Sequence, residues 1–317
     1  METTNSFGPQ GWTPDRVQDL TNKTYVITGT TSGTGYEAAR ILLSKGARVL
    51  MLNRNHQKAQ HTLHQLKTLG LEKKAVHITM DLSQQLSVKE AAAKILQTTD
   101  RIDALICNAA IAQVPARRLT PDGWESQMGV NHFGHFTLQA LLYPKLEESA
   151  GRVVSVGSMG YDMGLKTIKF DDLNWEEGYT PNNAYSQSKL AQIMTAYELQ
   201  RRLDKRANSK VKAYACHPGS SRTNLINASG SFTMKLIFGL MKRTSLTQPA
   251  VNGAYPSVMC ATEPSLDPAG FYGPTGRNFW VGPVGSHELK PHAKDPAVAK
   301  RLWERSVEET GVLWSLR

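Results

Sequence analysis

Tyr185 and Lys189 stand four residues apart in the run Ala184-Tyr185-Ser186-Gln187-Ser188-Lys189-Leu190. On a helix that spacing sets a phenol and an ammonium on one face. A free phenol, with a pKa of about 10, is a poor proton shuttle at neutral pH, and a cation held beside it favours the phenolate. Lowering it by roughly 3 pH units takes about 4 kcal/mol, which a lysine and one further cation supply between them. The same pattern also fits an exposed helix face, so the elements that position the pair have to decide.

Tyr25-Val26-Ile27-Thr28 reads as a short buried strand that runs into Gly29-Thr30-Thr31-Ser32-Gly33-Thr34-Gly35. A helix follows over Tyr36 to Ser44, with Ala38, Ala39, Ile41, Leu42 and Leu43 inward, and Gly46 ends it. Glycines in a strand-to-helix turn allow positive φ and let a pyrophosphate approach the backbone, while the helix N-terminus offers unpaired N–H groups. The spacing is Gly-x-x-x-Gly-x-Gly, distinct from the Gly-x-Gly-x-x-Gly fingerprint, and as an isolated pattern it also fits a plain turn.

The chain has 317 residues, 40% of them hydrophobic, which suits one large α/β domain with a substantial core. We expect an arm over residues 1–19, a domain over 20–312 and a tail over 313–317. The arm lacks the basic start and apolar run of a secretory signal. Cys107, Cys216 and Cys260 are scattered without Cys-x-x-Cys pairing, which fits a reducing compartment and a cytoplasmic location. His132-x-x-His135 and His61-x-x-His64 have helical ligand spacing but no acidic or cysteine companions, so no metal is expected.

The formal charge of +10 is dispersed, with Arg201-Arg202-Leu203-Asp204-Lys205-Arg206 as the local cluster, read as a solvated helix end. No aromatic-interleaved basic stripe is present, so nucleic acid is not an expected partner. Phe232 to Met241 is an apolar patch flanked by Lys242 and Arg243, too short to span a bilayer. Within the region from about 224 to 247 it reads as a lid over an apolar substrate ahead of a membrane-surface contact, and both ahead of a core helix.

Strands and helices then alternate. Ala47–Leu52, Ala75–Met80, Ile102–Cys107, Val153–Val156 and Val211–Cys216 read as strands. Asn55–Leu69, Leu86–Leu96, Phe133–Leu146 and Ala184–Leu203 read as helices, with Ala59, Leu63, Leu66 and Leu69 inward on the first. Such alternation demands a mostly parallel sheet with helices on both faces, and ligands in such sheets sit beyond the carboxyl ends of the strands. Gly29, Arg54, Asp81, Asn108, Ser158 and Pro218-Gly219 all follow strand ends, and are expected to converge on one cleft.

With these motifs in order, the chain from Leu20 to about Val312 resembles the classical short-chain dehydrogenase/reductase family. Thr28-Gly29-x-x-x-Gly33-x-Gly35 resembles its cofactor turn, Cys107-Asn108-Ala109-Ala110 its Asn-Asn-Ala-Gly segment, and Pro218-Gly219 with Thr223 its nicotinamide-side loop. Asn131, Ser158, Tyr185 and Lys189 match its active-site residues. Val130-Asn131-His132-Phe133-Gly134-His135-Phe136, the Asp171-Asp172-Leu173-Asn174-Trp175 insert and Arg301-Leu302-Trp303-Glu304 are similar to the retinol dehydrogenase-like branch, without the apolar N-terminal anchor of its membrane-bound members. Cys107 and Ala110 depart from the usual Asn and Gly, Thr34 stands where an aliphatic residue is usual, and Ser221 where a valine is common.

The resemblance implies a single doubly wound Rossmann-type α/β domain and an oxidoreductase that moves hydride between nicotinamide and an alcohol or carbonyl substrate. In it Tyr185 is the general acid/base, Lys189 lowers the tyrosine pKa and holds the nicotinamide ribose, Ser158 holds the substrate oxygen, and Asn131 supports a water chain. Ser155 competes with Ser158, which the family's strand-end register favours. Asn131 could also simply cap its helix, and Cys216 and His217 are read as structural. The cofactor contacts fall to Gly29, Thr31, Ser32, Gly33, Thr34, Gly35, Asn53, Arg54, Asp81, Leu82, Asn108, Ala109, Ala110, Tyr185, Lys189, Pro218, Gly219, Ser221 and Thr223. Asn53-Arg54 ends the second strand where an acidic residue would favour NAD, so the arginine points to NADP(H) over NAD(H). A homo-oligomer is expected, with contacts on the helices after Asn131 and through Tyr185. The competing reading is a catalytically silent nucleotide-binding scaffold.

Overall fold

The computed structural model describes residues 6–221 and 247–316. Thr223 and nearly all of the expected lid, including Phe232 to Met241, therefore lie outside the described residues. In chain order the main elements are β1 Thr24–Thr28, α1 Gly33–Ser44, β2 Arg48–Asn53, α2 His56–Thr68, β3 Ala75–Thr79, α3 Gln85–Thr98 and β4 Ala104–Cys107. A short turn, α4 Ser126–Met128, passes through a π turn at Gly129–Phe133 into α5 Gly134–Glu148. Then come β5 Arg152–Val156, α6 Pro181–Asp204, β6 Lys212–Cys216, α7 Ala250–Thr262, β7 Phe271–Gly276, β8 Val281–His287 and α8 Pro296–Thr310.

The strands form one sheet in the order β3-β2-β1-β4-β5-β6-β7-β8, with every pair parallel except the last. Side chains alternate between its two faces, as the period of a strand requires. Tyr25, Ile27, Val49, Met51, Ala104 and Ile106 pack with residues of α1, α2 and α7 on one face. Val26, Leu50, Leu52, Leu105 and Cys107 pack with residues of α3 and α5 on the other. Strands buried on both faces read as continuous apolar runs, which is why β1, β2 and β4 are legible in the sequence. The strand order reverses between β1 and β4, and the loops that leave these two carboxyl ends part to opposite faces and open a cleft.

Local signals set the helix ends. The α1 helix stops where Gly46, at φ +91°, turns the chain and Ala47 donates back to the Leu42 carbonyl at 3.1 Å. Asn55 caps α2, its Oδ1 accepting from the Lys58 amide at 2.8 Å. The inward face of α2 is Ala59, Thr62 and Leu66, with Leu63 half-buried beside them. Leu69, expected inward, is 53% exposed because the helix has already ended and Gly70, at φ +70°, leads the chain away.

The N-terminal arm is built into the domain. Trp12 is buried, its amide donates to Val284 at 2.9 Å along β8, and its indole donates to Glu263, which also pairs with Arg16. The arm thus covers the β8 end of the sheet, a sheet edge that would otherwise present unpaired backbone groups.

At the other end, α8 lies over α5 and α6. Trp303 meets Phe136 edge-on at 5.1 Å and Trp314 at 4.7 Å, with the Arg202 guanidinium 4.6 Å from its ring centre. The arginine cluster is correspondingly more than a solvated helix end: Arg201 and Arg202 pair with Glu198, and Arg206 with Glu147. Parts of α5 and α6, the helices on which subunit contacts are expected, pack against α8 of the same chain.

His132 ties α5 to α8. Ser306 Oγ donates to the Leu302 carbonyl at 2.7 Å, so His132 Nε2 carries the proton and donates to Ser306 Oγ, also at 2.7 Å. Burial pushes this ring down to about 3, and it pushes His135 down to about 4. Unfolded histidine takes a proton near pH 6.5 and these two do not, so the stability they contribute is complete above about pH 6.5 and is lost progressively as pH falls from there to the folded values. Urea midpoints measured between pH 7.5 and 4.5 should therefore fall more steeply in the wild type than in His132→Gln, whose amide keeps the donor. Parallel curves would contradict this.

Candidate active site at the carboxyl edge of the sheet

The turn after β1 is shaped for a close approach. Gly29 and Gly33 sit at φ +73° and +61°, in the left-handed region that glycine tolerates. A Cβ on Gly35 would lie 2.2 Å from the Gly29 carbonyl oxygen and 2.4 Å from Asn108 Nδ2, so no side chain fits there. Ser32 occupies the N-cap position of α1 without capping it, and the first turn holds no carboxylate. The amides of Gly33, Thr34 and Gly35 therefore face outward at the positive end of the helix dipole, the donor set a phosphate requires. These residues fit a dinucleotide.

Residues expected to touch a cofactor divide into those that face the cleft and those that build it. Asn53 builds it: its Oδ1 accepts from the Thr30 amide at 2.7 Å and its Nδ2 donates to Thr30 Oγ1 at 2.9 Å. Asn108 Nδ2 donates to the Thr28 and Gly29 carbonyls at 2.9 and 3.2 Å, and its Oδ1 accepts from Thr34 Oγ1 at 2.9 Å. The hydroxyl at Thr34 thus locks the start of α1 to the end of β4, which no aliphatic side chain could do. Leu82 is buried against the start of α5, where a Cβ on Gly134 would lie 2.4 Å from the Leu82 carbonyl oxygen. Ser221 Oγ turns inward to the Pro218 carbonyl at 2.7 Å.

Thr31, Ala109, Ala110, Pro218 and Gly219 are half-buried, and Ser32 is exposed at the turn. Asp81 keeps Oδ1 on Ser83, at 2.9 Å from its amide and 2.7 Å from its hydroxyl. Arg54 is exposed, with no hydrogen bond or ion pair among the described residues.

Sequence reasoning missed the knot beneath the cleft. Thr28 Oγ1 accepts from the amides of Asn108 and Ala109 at 3.0 and 2.9 Å and meets His135 Nε2 at 2.9 Å. His135 Nδ1 meets the Asn131 carbonyl at 3.0 Å, which places the ring proton on Nδ1 and leaves Nε2 to accept from the threonine. The signal available in the sequence was the spacing of Asn131 and His135, one helical turn apart. Asn131 itself lies in the π turn and is fully buried. Its side chain exchanges two hydrogen bonds with the Ile111 backbone and donates to Ser188 Oγ, all at 2.9 Å. It therefore fastens the β4 loop to α6 and does more than cap a helix.

Ser158, Tyr185 and Lys189 come together where β5 ends against α6. Ser158 Oγ accepts from the Gly160 amide at 3.0 Å and faces the Tyr185 ring across Gly160, where a Cβ would lie 3.2 Å from that oxygen. Ser155, the competing serine, lies within β5 and is buried. Gly160 leaves room for the phenol, since a Cβ there would lie 2.7 Å from Tyr185 Cε1.

The electrostatics differ from the expected cation-lowered phenol. Burial is the larger influence on Tyr185 and pushes its pKa up, with the neighbouring Ser158 hydroxyl opposing it. The Lys189 ammonium is turned to the Val156 carbonyl at 3.0 Å and to Gln192 Oε1 at 2.7 Å, and burial brings it down to about 7. The two side chains share a helix face as the spacing required, but desolvation dominates both.

A family model described as short chain dehydrogenase matches residues 23–170. Human retinol dehydrogenase 14 is 38% identical over 92% of this chain and 87% of its own, and human retinol dehydrogenase 12 is 34% identical over 93% and 88%. A solved structure of an uncharacterised protein from Mycobacterium paratuberculosis is 35% identical, covers 96% of this chain and 99% of its own, and superposes with a TM-score of 0.78. Fold, site and relatives together define a nicotinamide-dependent oxidoreductase. The chain belongs to the short-chain dehydrogenase/reductase family, in its retinol dehydrogenase-like branch.

Thr28→Val should test the knot. It leaves two amides and one imidazole nitrogen without their partner, at about 1–3 kcal/mol for each buried group. Urea unfolding should show a loss of about 3 kcal/mol or more, restored largely by Thr28→Ser. A valine variant as stable as the wild type would show that the hydroxyl carries no load.

Proposed function

We propose that the protein is an NADP(H)-dependent oxidoreductase acting on an apolar alcohol or carbonyl compound, with Tyr185 as general acid/base. The observation that carries this reading is the convergence of Ser158 and Tyr185 around Gly160 at the end of β5, with Lys189 one turn further along α6. Bound nicotinamide supplies or accepts the hydride.

Tyr185 then moves the proton: its phenol donates to the carbonyl oxygen during reduction and takes the hydroxyl proton during oxidation. Ser158 holds the same oxygen and donates to it as negative charge develops, which costs no reorganisation because the Gly160 amide already fixes the hydroxyl. Lys189, brought to about 7 by burial, takes up and releases a proton readily at neutral pH and can refill the phenol. Asn131, pinned to Ile111 and Ser188, holds that part of α6 in place.

Arg54 supports the choice of NADP(H). Its guanidinium is free to form a planar, charge-assisted pair with a ribose phosphate, and no carboxylate stands at the end of β2 to repel one. The names of the relatives, retinol dehydrogenases 14 and 12, support an apolar substrate. Among the described residues no helix is long and apolar enough to cross a membrane.

Turnover with NADPH and NADH against a panel of apolar aldehydes, ketones and alcohols tests the reading. Tyr185→Phe should lower kcat by about 10²–10⁴-fold while nucleotide binding persists, and a phenylalanine variant with wild-type turnover would refute the acid/base role. Arg54→Ala should raise the KM for NADPH by about tenfold and leave that for NADH unchanged. Equal effects on the two nucleotides would remove the NADP(H) assignment.

A further inference from the structure

Beneath the loop that follows β6 lies a cluster of four rings. His217 stacks on Phe271 with centroids 5.0 Å apart, His287 packs edge-on against both, and Phe279 stacks on His287 at 4.1 Å. The two imidazoles are joined directly, with Nε2 to Nε2 at 2.7 Å, and both are buried. The Gly219 amide donates to His217 Nδ1 at 3.2 Å. That bond fixes the tautomers: His217 Nδ1 accepts, so His217 Nε2 carries the proton and donates to His287 Nε2. Burial holds both rings below the usual histidine range, so a single proton lies between them at neutral pH.

The space for this pair is built in. A Cβ on Gly273 of β7 would lie 2.0 Å from His217 Nε2. The β7–β8 connection places three successive residues, Arg277, Asn278 and Phe279, at φ +43°, +56° and +66°, in the left-handed region that side chains avoid. Strain of that kind persists only where surrounding contacts hold it. Here it lets Phe279 lie on His287 and brings the Trp280 carbonyl to the Ser220 amide at 2.7 Å. Gly219, at φ +62°, is tightly fitted, since a Cβ would lie 2.4 Å from that same carbonyl oxygen.

We propose that His287 is a positioning residue for the loop Pro218–Ser221: acting through His217, it fixes the Gly219 amide and so shapes the nicotinamide half of the cleft, leaving the adenylate half at α1 and Arg54 untouched. The inference rests on the NADP(H) reading for what the loop receives, and on geometry alone for how the loop is held. His287 makes no contact with substrate or cofactor in this scheme. Its effect passes along one hydrogen-bonded line, from Nε2 of His287 to the ring of His217 to the amide of Gly219.

The test compares wild type with His287→Phe, which keeps a ring to stack on Phe279 but removes the acceptor, and with His287→Gln, which restores an acceptor. Hydrogen exchange of the Gly219–Ser221 amides and binding of NADPH and of 2′,5′-ADP are the readouts. In the phenylalanine variant the amides should exchange about tenfold faster or more, NADPH should bind about tenfold more weakly, and 2′,5′-ADP should bind as to the wild type. The glutamine variant should return the exchange rate and NADPH binding most of the way. Unchanged exchange at Gly219, an equal loss for both nucleotides, or a glutamine variant as weak as phenylalanine would overturn the proposal. If His287→Phe fails to fold, His287→Asn removes the same acceptor with a side chain too short to reach and is held to the same outcomes. A wild-type protein that binds neither nucleotide would refute the functional reading, while the exchange measurement still decides how the loop is held.

Discussion

Desolvation of Tyr185 and Lys189 is the constraint on which the proposed chemistry depends. The two groups are 9% and 2% exposed, and burial drives them in opposite directions, the phenol up and the amine down to about 7. A site of this kind holds its tyrosine protonated and its lysine close to losing a proton. Charge brought into it counts for much more than in water, because little solvent screens the interaction. The phenol is therefore poised to respond to the oxidised, cationic nicotinamide, and a lysine on the same helix face is by itself insufficient to make it an acid. The pair draws on the neutral surroundings of β5 and α6 as much as on its own spacing.

Holding these groups in register falls to a few polar side chains buried at the carboxyl ends of the strands. Thr28 joins β1 to the β4 loop and, through His135, to α5. Asn131 joins that same loop to α6, and Asn53 closes the glycine turn onto β2. Each has its main hydrogen-bonding groups satisfied inside the protein, so it rigidifies the cleft without competing for a ligand. The side chains left outward, Arg54 foremost, are those free to recognise one.

The strands β1, β2, β4, β5 and β6 and the helices between them were legible because burial on both faces writes continuous apolar runs and because glycine and asparagine mark the ends. Gly29, Asn108 and Ser158 were legible because they follow strand ends, and Tyr185 with Lys189 because their spacing places them on one face of α6. The direction of the Tyr185 pKa was not, since spacing reports which groups are neighbours and says nothing of how dry their surroundings are. Nor were β7 and β8, whose Gly273, Pro274, Gly276, Gly282, Pro283 and Gly285 are residues that strands disfavour and whose pairing is set by tertiary packing. Trp12 read only as part of an extended arm because its partners, Val284 and Glu263, are distant in sequence. The role of His135 went unread because it depends on the hydroxyl of Thr28, 107 residues away in the sequence.

Titration of the Tyr185 phenol itself is the most direct measurement of the central claim. Carbon-13 NMR of ring-labelled tyrosine, with Tyr185 assigned by its absence from the Tyr185→Phe spectrum, follows the phenol with and without NADP⁺. The phenol should titrate above the ordinary value of about 10 in the free protein and move down toward neutrality when the nucleotide binds. A phenol already below that value in the free protein, or one that does not respond to the nucleotide, would contradict the claim.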